Sequence, residues 1–418
     1  MTSISPFFPV PTADRPGASV ALVGGLVRPV ASADVPDGVV LVSDGVITAV
    51  GPVGSVTIPD GVERVDTTGQ VVLPGFVESH AHLGVSEEGR GWAGNDVNEM
   101  TGPNQAGVRA IDAIDIDEEG FRDALAGGVT TAVVKPGSGN PIGGQTVAIK
   151  TWGGRTVDEQ VISDAVSVKS ALGENPKRVY GEQKVTPSTR LGVAKIIREA
   201  FTAAQNYAAR RAHAATEGKP FDRDVTMEAL AAVLDGTLAW DQHSHRHDDL
   251  ATAVRLADEF GYRLVLNHGT EAHKIADVLA ERDIPVIYGP MITSRSKVEI
   301  VDRATPHLAQ IAGAGVRVAI TTDHPVVPIN LLVLQASLAV KDGLDPRTAI
   351  EALTTNPAAF LRLDTRVGAL EAGRDGDVVV WSGDPLDTTA HVERTFIAGR
   401  EVYSRAGGVV ERSERFAD

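Results

Sequence analysis

The sequence predicts an α/β protein made of two parts, a (β/α)8 barrel of the TIM type and a small β-sandwich domain assembled from both chain termini. The middle, residues 74–363, alternates short apolar strands with amphipathic helical stretches, which indicates a parallel sheet. The ends, residues 1–73 and 364–418, contain short strands without a helical period. Because chain ends often lie close together, we expect the two end segments to form one domain.

Length and composition fit a globular protein with two parts. The chain has 418 residues, of which 43% are hydrophobic and 22% are charged. A net charge of −16 argues against a nucleic-acid partner, because phosphate binding needs a basic surface. The absence of cysteine excludes disulfides, thiolate ligands and a cysteine nucleophile. With neither a signal peptide nor an apolar run long enough to cross a bilayer, we expect a cytoplasmic protein that does not bind membranes.

The N-terminal part is predicted to begin with an arm and to continue as a meander. Residues 1 to about 18 are rich in proline and serine, which is typical of a terminal arm. Strands are predicted at residues 20–23, 38–42, 46–50 and 71–72, with Pro-Asp-Gly and Ser-Asp-Gly turns between them. Similar strands return near the C-terminus, at residues 377–381, 392–400 and 401–403.

The middle of the chain is predicted to close into a barrel. About eight strand-helix units in about 250 to 300 residues are typical of the (β/α)8 fold. An open doubly wound sheet is the alternative, but no Gly-x-Gly-x-x-Gly motif follows the first strand. The glycine-rich segment 137–144 lacks the Lys-Ser/Thr ending of a phosphate-binding loop, so we interpret it as an ordinary loop.

Metal-ligating residue types follow several of the predicted strands. His80 and His82 end the apolar run 71–77 and, being two residues apart on a strand, point the same way. Two such imidazoles make half of a metal site. His243, His268 and Asp323 also follow apolar runs. In a barrel the carboxyl ends of all strands open on one face, so we expect these five residues to converge.

Five candidate ligands exceed the three that a catalytic zinc ion usually takes from a protein. Either two ions bind, or some of these residues have other roles. Two ions about 3.5 to 4 Å apart need a bridging group, and a lysine carboxylated by CO₂ can supply one. Lys169 ends the apolar run 166–168 and is the preferred candidate, whereas Lys150 is its rival. Without a bridging lysine the site holds one ion, with Asp323 as proton shuttle.

The order of these residues resembles the amidohydrolase superfamily over nearly the whole chain. The segment Val71–His82 matches the first motif of that superfamily, and the segments 354–358 and 367–379 match its last motif. The similarity is greatest to the imidazolonepropionase-like and peptidase-like branch. It implies that His80, His82 and Asp323 hold one ion, that His243 and His268 hold the second, and that Lys169 bridges them as a carbamate. The implied cofactors are two divalent ions, with zinc as the expected metal.

The resemblance implies hydrolysis of an amide-type C–N bond in an N-acyl amino acid, a dipeptide or a cyclic amide. Asp323 would take a proton from the attacking water and pass it to the leaving nitrogen. His245 shares a face with His243 and is predicted to contact the reacting group. Four residues on segments that follow strands are predicted to bind a carboxylate or carbonyl of the substrate: Arg178, Tyr180, Tyr288 and Arg295.

Two other functions stay open at this point. A deaminase on the same scaffold needs one ion and a catalytic glutamate near the third histidine, and Glu271 is close enough in sequence to His268. A binding or assembly module without catalysis would not need five metal-ligating residues at strand ends. We expect a small-molecule substrate and a homo-oligomer whose stoichiometry the sequence does not define.

Overall fold

A computed structural model describes residues 17–410, so the predicted arm lies outside the described residues up to residue 16. The strands are β1 Val20–Val27, β2 Val35–Ser43, β3 Val46–Pro52, β4 Glu63–Asp66, β5 Val71–Pro74, β6 Phe76–Ala81, β7 Val129–Val134, β8 Ile142–Gln145, β9 Val147–Lys150, β10 Val161–Ser163, β11 Ser167–Ala171, β12 Ala239–Ser244, β13 Leu264–His268, β14 Val286–Tyr288, β15 Val318–Ile320, β16 Val378–Trp381, β17 Val392–Ile397, β18 Arg400–Ser404 and β19 Gly408–Val409. The α-helices are α1 Gly120–Ala126, α2 Glu174–Glu182, α3 Arg190–Thr216, α4 Val225–Leu234, α5 His247–Phe260, α6 Ala276–Glu281, α7 Pro306–Gly313, α8 Leu332–Lys341, α9 Pro346–Glu351 and α10 Thr355–Phe360.

Strands from both ends of the chain share one sheet, as the sequence predicts. Its order is β19-β18-β17-β16-β5-β1-β2-β3, and β4 pairs with β1. The two ends meet where β16 runs antiparallel to β5, with Val378 opposite Pro74 and Trp381 opposite Val71. This pairing makes one continuous nine-stranded sheet, and the packing of that sheet into the predicted β-sandwich stays a prediction. One buried cluster, including Leu22, Val72 and Phe396, spans strands from both ends.

The middle of the chain supplies two further sheets of mixed direction. Their orders are β10-β9-β7-β6 and β15-β14-β13-β12-β11-β8. The pairs from β11 to β15 and the pair of β6 with β7 are parallel, as the strand-helix alternation predicts. The segment β8–β9 is an exception, because it runs antiparallel to both β11 and β7. It follows β7 without an intervening helix, and a parallel neighbour would need such a crossover.

Strands β6 and β15 are linked through side chains. The Thr321 hydroxyl donates to the His80 carbonyl at 2.7 Å, and the Thr322 N–H donates to the buried Glu78 carboxylate at 2.8 Å. Within residues 17–410 no backbone ladder joins these two strands. The mixed α/β architecture is therefore confirmed, whereas closure into an eight-stranded barrel and the boundaries at 73/74 and 363/364 stay predictions.

Helices cover the outer face of the middle sheets, and α3 shows how. Its first turn is capped by the Thr189 hydroxyl, which accepts from the Gly192 N–H. Residues spaced by three or four positions, including Val193, Ile197 and Phe201, form its buried face. Phe201 packs against Trp240 of β12 with ring centroids 4.7 Å apart. None of the helices in residues 17–410 is both long and apolar enough to cross a membrane.

Candidate metal centre

The end of β6 and the turn after β15 bring three predicted ligands together. All six residues of β6 are buried, so the strand is held firmly where it delivers His80. The Nε2 atoms of His80 and His82 lie 3.2 and 3.3 Å from the Oδ1 atom of Asp323. Three ligand atoms on two sequence-distant segments therefore point at one place, as the strand-end pattern predicts.

Hydrogen bonds at Nδ1 of His80 and His82 determine the protonation of their Nε2 atoms. His80 Nδ1 lies 2.7 Å from Asn267 Oδ1, and His82 Nδ1 lies 2.8 Å from the Lys135 carbonyl oxygen. Both partners are acceptors, so each Nδ1 carries the proton and each neutral ring presents a lone pair at Nε2. Burial lowers the pKa of His80 well below its usual value, which favours the neutral ring. Two lone pairs and a carboxylate facing each other favour a cation between them.

Three more imidazoles form a second cluster beside the first. His243, His245 and His268 each offer a ring nitrogen within 4.8 Å of the others. His268 Nδ1 donates to the Gly289 carbonyl oxygen, and His245 Nδ1 lies 2.8 Å from the Thr270 hydroxyl. His243 Nδ1 is buried and has no hydrogen-bond partner in the described part of the chain. A buried ring nitrogen without a partner is the arrangement that a metal ligand needs before the ion binds.

The protonation states of the three imidazoles in the second cluster also favour a cation. Burial lowers the pKa of His243 and His245 well below the usual value, with further lowering from His268. Burial also lowers the pKa of His268 to about 3. All three rings are thus neutral at physiological pH, and a neutral imidazole is the form that binds metals. His245 belongs to this cluster together with the two residues that the sequence pattern predicts as ligands.

Lys169 lies where the two clusters meet. The rings of His80 and His268 have centroids 4.9 Å apart, and Lys169 Nζ lies 3.0 Å from His80 Nε2. The lysine is fully buried, and burial lowers the pKa of its amine to about 7. A buried lysine that is partly uncharged at neutral pH is a common feature of catalytic sites. Its position agrees with the bridging role that the sequence predicts.

Two of the candidate ligands have unusual backbone conformations. His268 has φ of 71° and Asp323 has φ of 54°, in the left-handed region that residues with a side chain rarely adopt. Such a conformation costs about 1 to 3 kcal/mol and persists where the surrounding structure or the function requires it. The imidazoles and the single carboxylate together suit zinc and other first-row divalent ions. The residues present therefore fit a metal centre.

A cavity of about 180 Å³ opens onto both clusters. Besides the histidines and Asp323, its wall includes Ser138, Thr270, Thr293, Ser296, Lys297 and Arg303. Most of these residues come from the loop between β14 and α7, and two of them are cationic. The cavity therefore brings the candidate ligands together with polar side chains and two positive charges.

Comparison with known proteins agrees with this geometry. The profile of the amidohydrolase family matches residues 71–402, which is most of the chain. The chain belongs to the amidohydrolase family. The superfamily predicted from the strand-end motifs is thereby confirmed. Both motifs fall largely within the matched residues.

Individual relatives show how far the similarity of this amidohydrolase extends. It is 30% identical to the amidohydrolase tasK of Hapsidospora irregularis over 80% of this chain, but it spans only 36% of tasK. It is 26% identical to an imidazolonepropionase of Salinispora arenicola, covering 90% of this chain and 94% of the relative. A crystal structure of an amidohydrolase from Thermotoga maritima MSB8 is 43% identical with a TM-score of 0.89, covering 92% of this chain and all of the other.

The structure distinguishes the two candidate bridging lysines of this amidohydrolase. Lys150 Nζ lies 2.6 Å from Asp375 Oδ2 and is also bonded to Asp377. These carboxylates belong to the segment leading into β16, so Lys150 points toward the nine-stranded sheet. Lys150 is thus engaged in an ion-pair network away from the histidines, and Lys169 remains as the candidate bridge.

The four predicted substrate-binding residues do not line the cavity, so these predictions need correction. Arg178 lies exposed on α2. The Tyr180 hydroxyl donates to Gly102, and the Tyr288 hydroxyl donates to the Ala304 carbonyl. The Arg295 guanidinium donates to the carbonyls of Val301 and Arg303. The hydroxyls of Tyr180 and Tyr288 and the guanidinium of Arg295 thus hold loop carbonyls, which leaves them engaged away from the cavity wall.

Glu271, the candidate deaminase glutamate, is also engaged elsewhere. Its carboxylate accepts from the backbone and ring of His247 and lies 2.9 Å from Lys274 Nζ. Although partial burial raises it, these partners hold the pKa of Glu271 down at about 2. The residue is absent from the wall of the cavity. Its placement does not favour the deaminase alternative.

Sequence reasoning missed a buried polar network beneath the first cluster. Lys135 Nζ lies 2.5 Å from Asp241 Oδ2 and 3.2 Å from Asn267 Oδ1, and all three residues are buried. Asn267 in turn binds His80, so the network orients a candidate ligand. The available signal was Asp241, which directly follows the apolar residues 238–240 of a predicted strand, because an unpaired acid is rarely buried in a strand.

Proposed function

We propose that this amidohydrolase is a metal-dependent hydrolase that cleaves an amide-type C–N bond. The observation that carries the proposal is the convergence of ring nitrogens and the Asp323 carboxylate from sequence-distant strand ends on one cavity. His80, His82 and Asp323 would hold one divalent ion, and the three histidines of the second cluster would hold another. The names of the relatives, an amidohydrolase and an imidazolonepropionase, support this class of reaction. We propose zinc as the metal and a closed (β/α)8 barrel as the scaffold.

In the proposed reaction, side chains of the protein carry out the proton transfers. Divalent ions held by these clusters would supply an activated water and would polarise a substrate carbonyl. Asp323 is suited to accept the proton of that water, because its carboxylate faces the cavity between His80 and His82. It then donates the proton to the leaving nitrogen as a general acid. Lys169, as a carbamate, would place two further oxygens between the clusters.

The substrate is proposed to carry an anionic group. Lys297 and Arg303 contribute positive charge to the cavity wall opposite a floor of neutral imidazoles and one acid. Arg303 donates to the Thr293 carbonyl through Nη2, while its Nη1 atom is buried without a partner among the described residues. A guanidinium with a free nitrogen beside an ammonium is suited to a carboxylate. An N-acyl amino acid, a dipeptide or a cyclic amide with a carboxylate side arm meets this requirement.

The decisive experiment replaces Asp323 with Asn and measures turnover and metal content together. Screening N-acyl amino acids, dipeptides and cyclic amides first identifies a substrate for the wild type. Loss of the general base should lower kcat by about 10²- to 10⁴-fold. The ions should stay bound in Asp323→Asn, because the histidine ligands remain and the amide oxygen of asparagine can replace the carboxylate oxygen as a ligand. Turnover equal to the wild type in the metal-loaded variant would contradict the proposal.

Intact-mass measurement under gentle conditions tests the carbamate separately. A carbamate on one lysine increases the mass of the chain by that of one CO₂ molecule. The added mass should disappear in Lys169→Ala and persist in Lys150→Ala, because Lys150 is held by Asp375 and Asp377. Its absence from wild-type protein would leave the two clusters without a bridging lysine.

A further inference from the structure

A third group of metal-type residues lies outside the candidate metal centre. Glu88, Glu118 and His324 each offer a ligand atom within 4.8 Å of the others. Glu88 and Glu118 lie in the first and last parts of the long segment between β6 and α1, and His324 follows Asp323 in the chain. Three residues that are distant in sequence therefore meet at this cluster.

Burial makes the cluster unusual. Glu118 is 6% exposed and His324 is fully buried. Within residues 17–410, neither carboxylate oxygen of Glu118 and neither ring nitrogen of His324 has a hydrogen-bond partner. Buried polar atoms without partners are rare in folded proteins, and each one calls for a specific explanation such as a bound ion.

A direct ion pair between these two residues does not satisfy them. His324 Nε2 lies 3.8 Å from Glu118 Oε2, beyond the 2.7 to 3.2 Å of a hydrogen bond. It would also leave the second oxygen of Glu118 and Nδ1 of His324 without partners. A separation near 4 Å between ligand atoms leaves room for an ion, since zinc binds nitrogen and carboxylate oxygen at about 2.0 to 2.2 Å.

The surroundings favour a cation at this position. Burial raises the pKa of Asp123, and the charges of Glu119 and Glu88 raise it further, so negative charge lies close to the cluster. The backbone also leaves space there. A Cβ atom added at Gly120 would lie 2.5 Å from His324 Nε2 and 2.7 Å from Glu118 Oε2, so the glycine keeps the region between the ligands open.

We propose that Glu88, Glu118 and His324 bind a divalent transition-metal ion that is separate from the candidate metal centre. One imidazole and two carboxylates are a ligand set that zinc and manganese accept. The ion joins two points of the segment 82–119 to the residue that follows Asp323. Its role is to hold this segment to the turn that follows β15.

Counting bound ions tests the proposal. Wild type, Glu118→Gln and Glu119→Gln are dialysed against the same free Zn²⁺ or Mn²⁺ concentration, and the metal per chain is measured by mass spectrometry. Glu119 is a matched control, because its side chain is 71% exposed and lies outside the cluster. We expect Glu118→Gln to bind one ion fewer than the other two proteins. Equal metal content in all three would overturn the proposal.

Glu88→Gln provides a test that does not disturb a buried residue. Glu88 is exposed, so its replacement is compatible with folding. We expect at least a tenfold weaker affinity for one ion in a calorimetric titration with Mn²⁺. An unchanged affinity together with no anomalous density between the three side chains in Mn²⁺-soaked crystals would overturn the proposal. Neither glutamate belongs to the two histidine clusters, so this outcome would leave the proposed hydrolase function untouched.

Discussion

At the scale of single residues, the candidate ligands depend on buried neighbours that bind no metal themselves. Asn267 accepts from the His80 ring and from Lys135, and it donates to Asp241. Asp241 also accepts from the Ser167 hydroxyl at 3.1 Å. Each of these groups is satisfied only while the others are present, so the orientation of His80 is linked to an ion pair on another strand.

Removing the cation of this network should be costly. In Lys135→Met the carboxylate of Asp241 stays buried without its counter-ion, so we expect unfolding free energy to fall by about 3 to 5 kcal/mol. Urea unfolding of the metal-free protein measures this change. Lys195→Met, at an exposed lysine of α3, is the control and should change stability by less than about 0.5 kcal/mol. A similarly small change in Lys135→Met would show that the buried ion pair does not stabilise the folded protein.

At the scale of elements, the loop between β14 and α7 determines the polar wall of the cavity. Glu299 anchors this loop, since its carboxylate accepts from the Glu174 N–H at 2.5 Å and lies 2.6 Å from Arg190 Nη2. Burial raises the pKa of Glu299 to about 7. Arg190 also pairs with Asp249 at the start of α5. The loop that carries Lys297 and Arg303 is thus tied to α2, α3 and α5 rather than free to move.

Substitution on this loop should affect substrate binding more than chemistry. For a substrate with a carboxylate, Lys297→Gln should raise KM about tenfold with little change in kcat, equivalent to about 1.4 kcal/mol of binding. Lys297→Arg retains the charge and should recover most of the loss. The amidated form of the same substrate should show no difference between the three proteins. An equal rise in KM for the charged and amidated substrates would exclude charge recognition by Lys297.

At the scale of the whole molecule, a buried ion-pair network connects the middle sheets with the nine-stranded sheet. Lys150 ends β9, whereas Asp375 and Asp377 precede β16. Arg366 adds a second cation, 2.7 Å from Asp375. The Gly75 N–H also donates to the Asp377 carbonyl at 3.0 Å, close to the turn between β5 and β6. The chain passes twice between the nine-stranded sheet and the middle sheets, and both passages lie close to these residues.

Lys150→Met should weaken this junction without affecting the metal centre. Buried Asp377 would lose its counter-ion, whereas half-buried Asp375 keeps Arg366, so we expect a loss of about 3 to 5 kcal/mol in the free energy of unfolding. Metal content per folded chain should stay at the wild-type value. Lys341→Met, at an exposed position on α8, is the matched control. Loss of bound metal in Lys150→Met with unchanged stability would instead assign Lys150 to the metal centre.

The sequence by itself determined which residues are candidate ligands and that the fold is of the mixed α/β class. His80, His82, His243 and His268 are recognisable because each ends an apolar run, and strand burial is a local property of the sequence. The contribution of both chain ends to one sheet was predictable for the same reason, since short strands and turn residues recur at each end. Local hydrogen bonding and local hydrophobicity suffice for such features.

Only the tertiary structure decided which of several similar residues act together. Lys150 and Lys169 both end short apolar runs, and they differ because the carboxylates that hold Lys150 lie more than two hundred positions away. The antiparallel β8–β9 segment, the loop-stabilising roles of Tyr180 and Arg295, and the partnering of Lys135 with Asp241 have the same origin. Each depends on contacts between distant segments, and a side chain's partners there are determined by packing that no local pattern records.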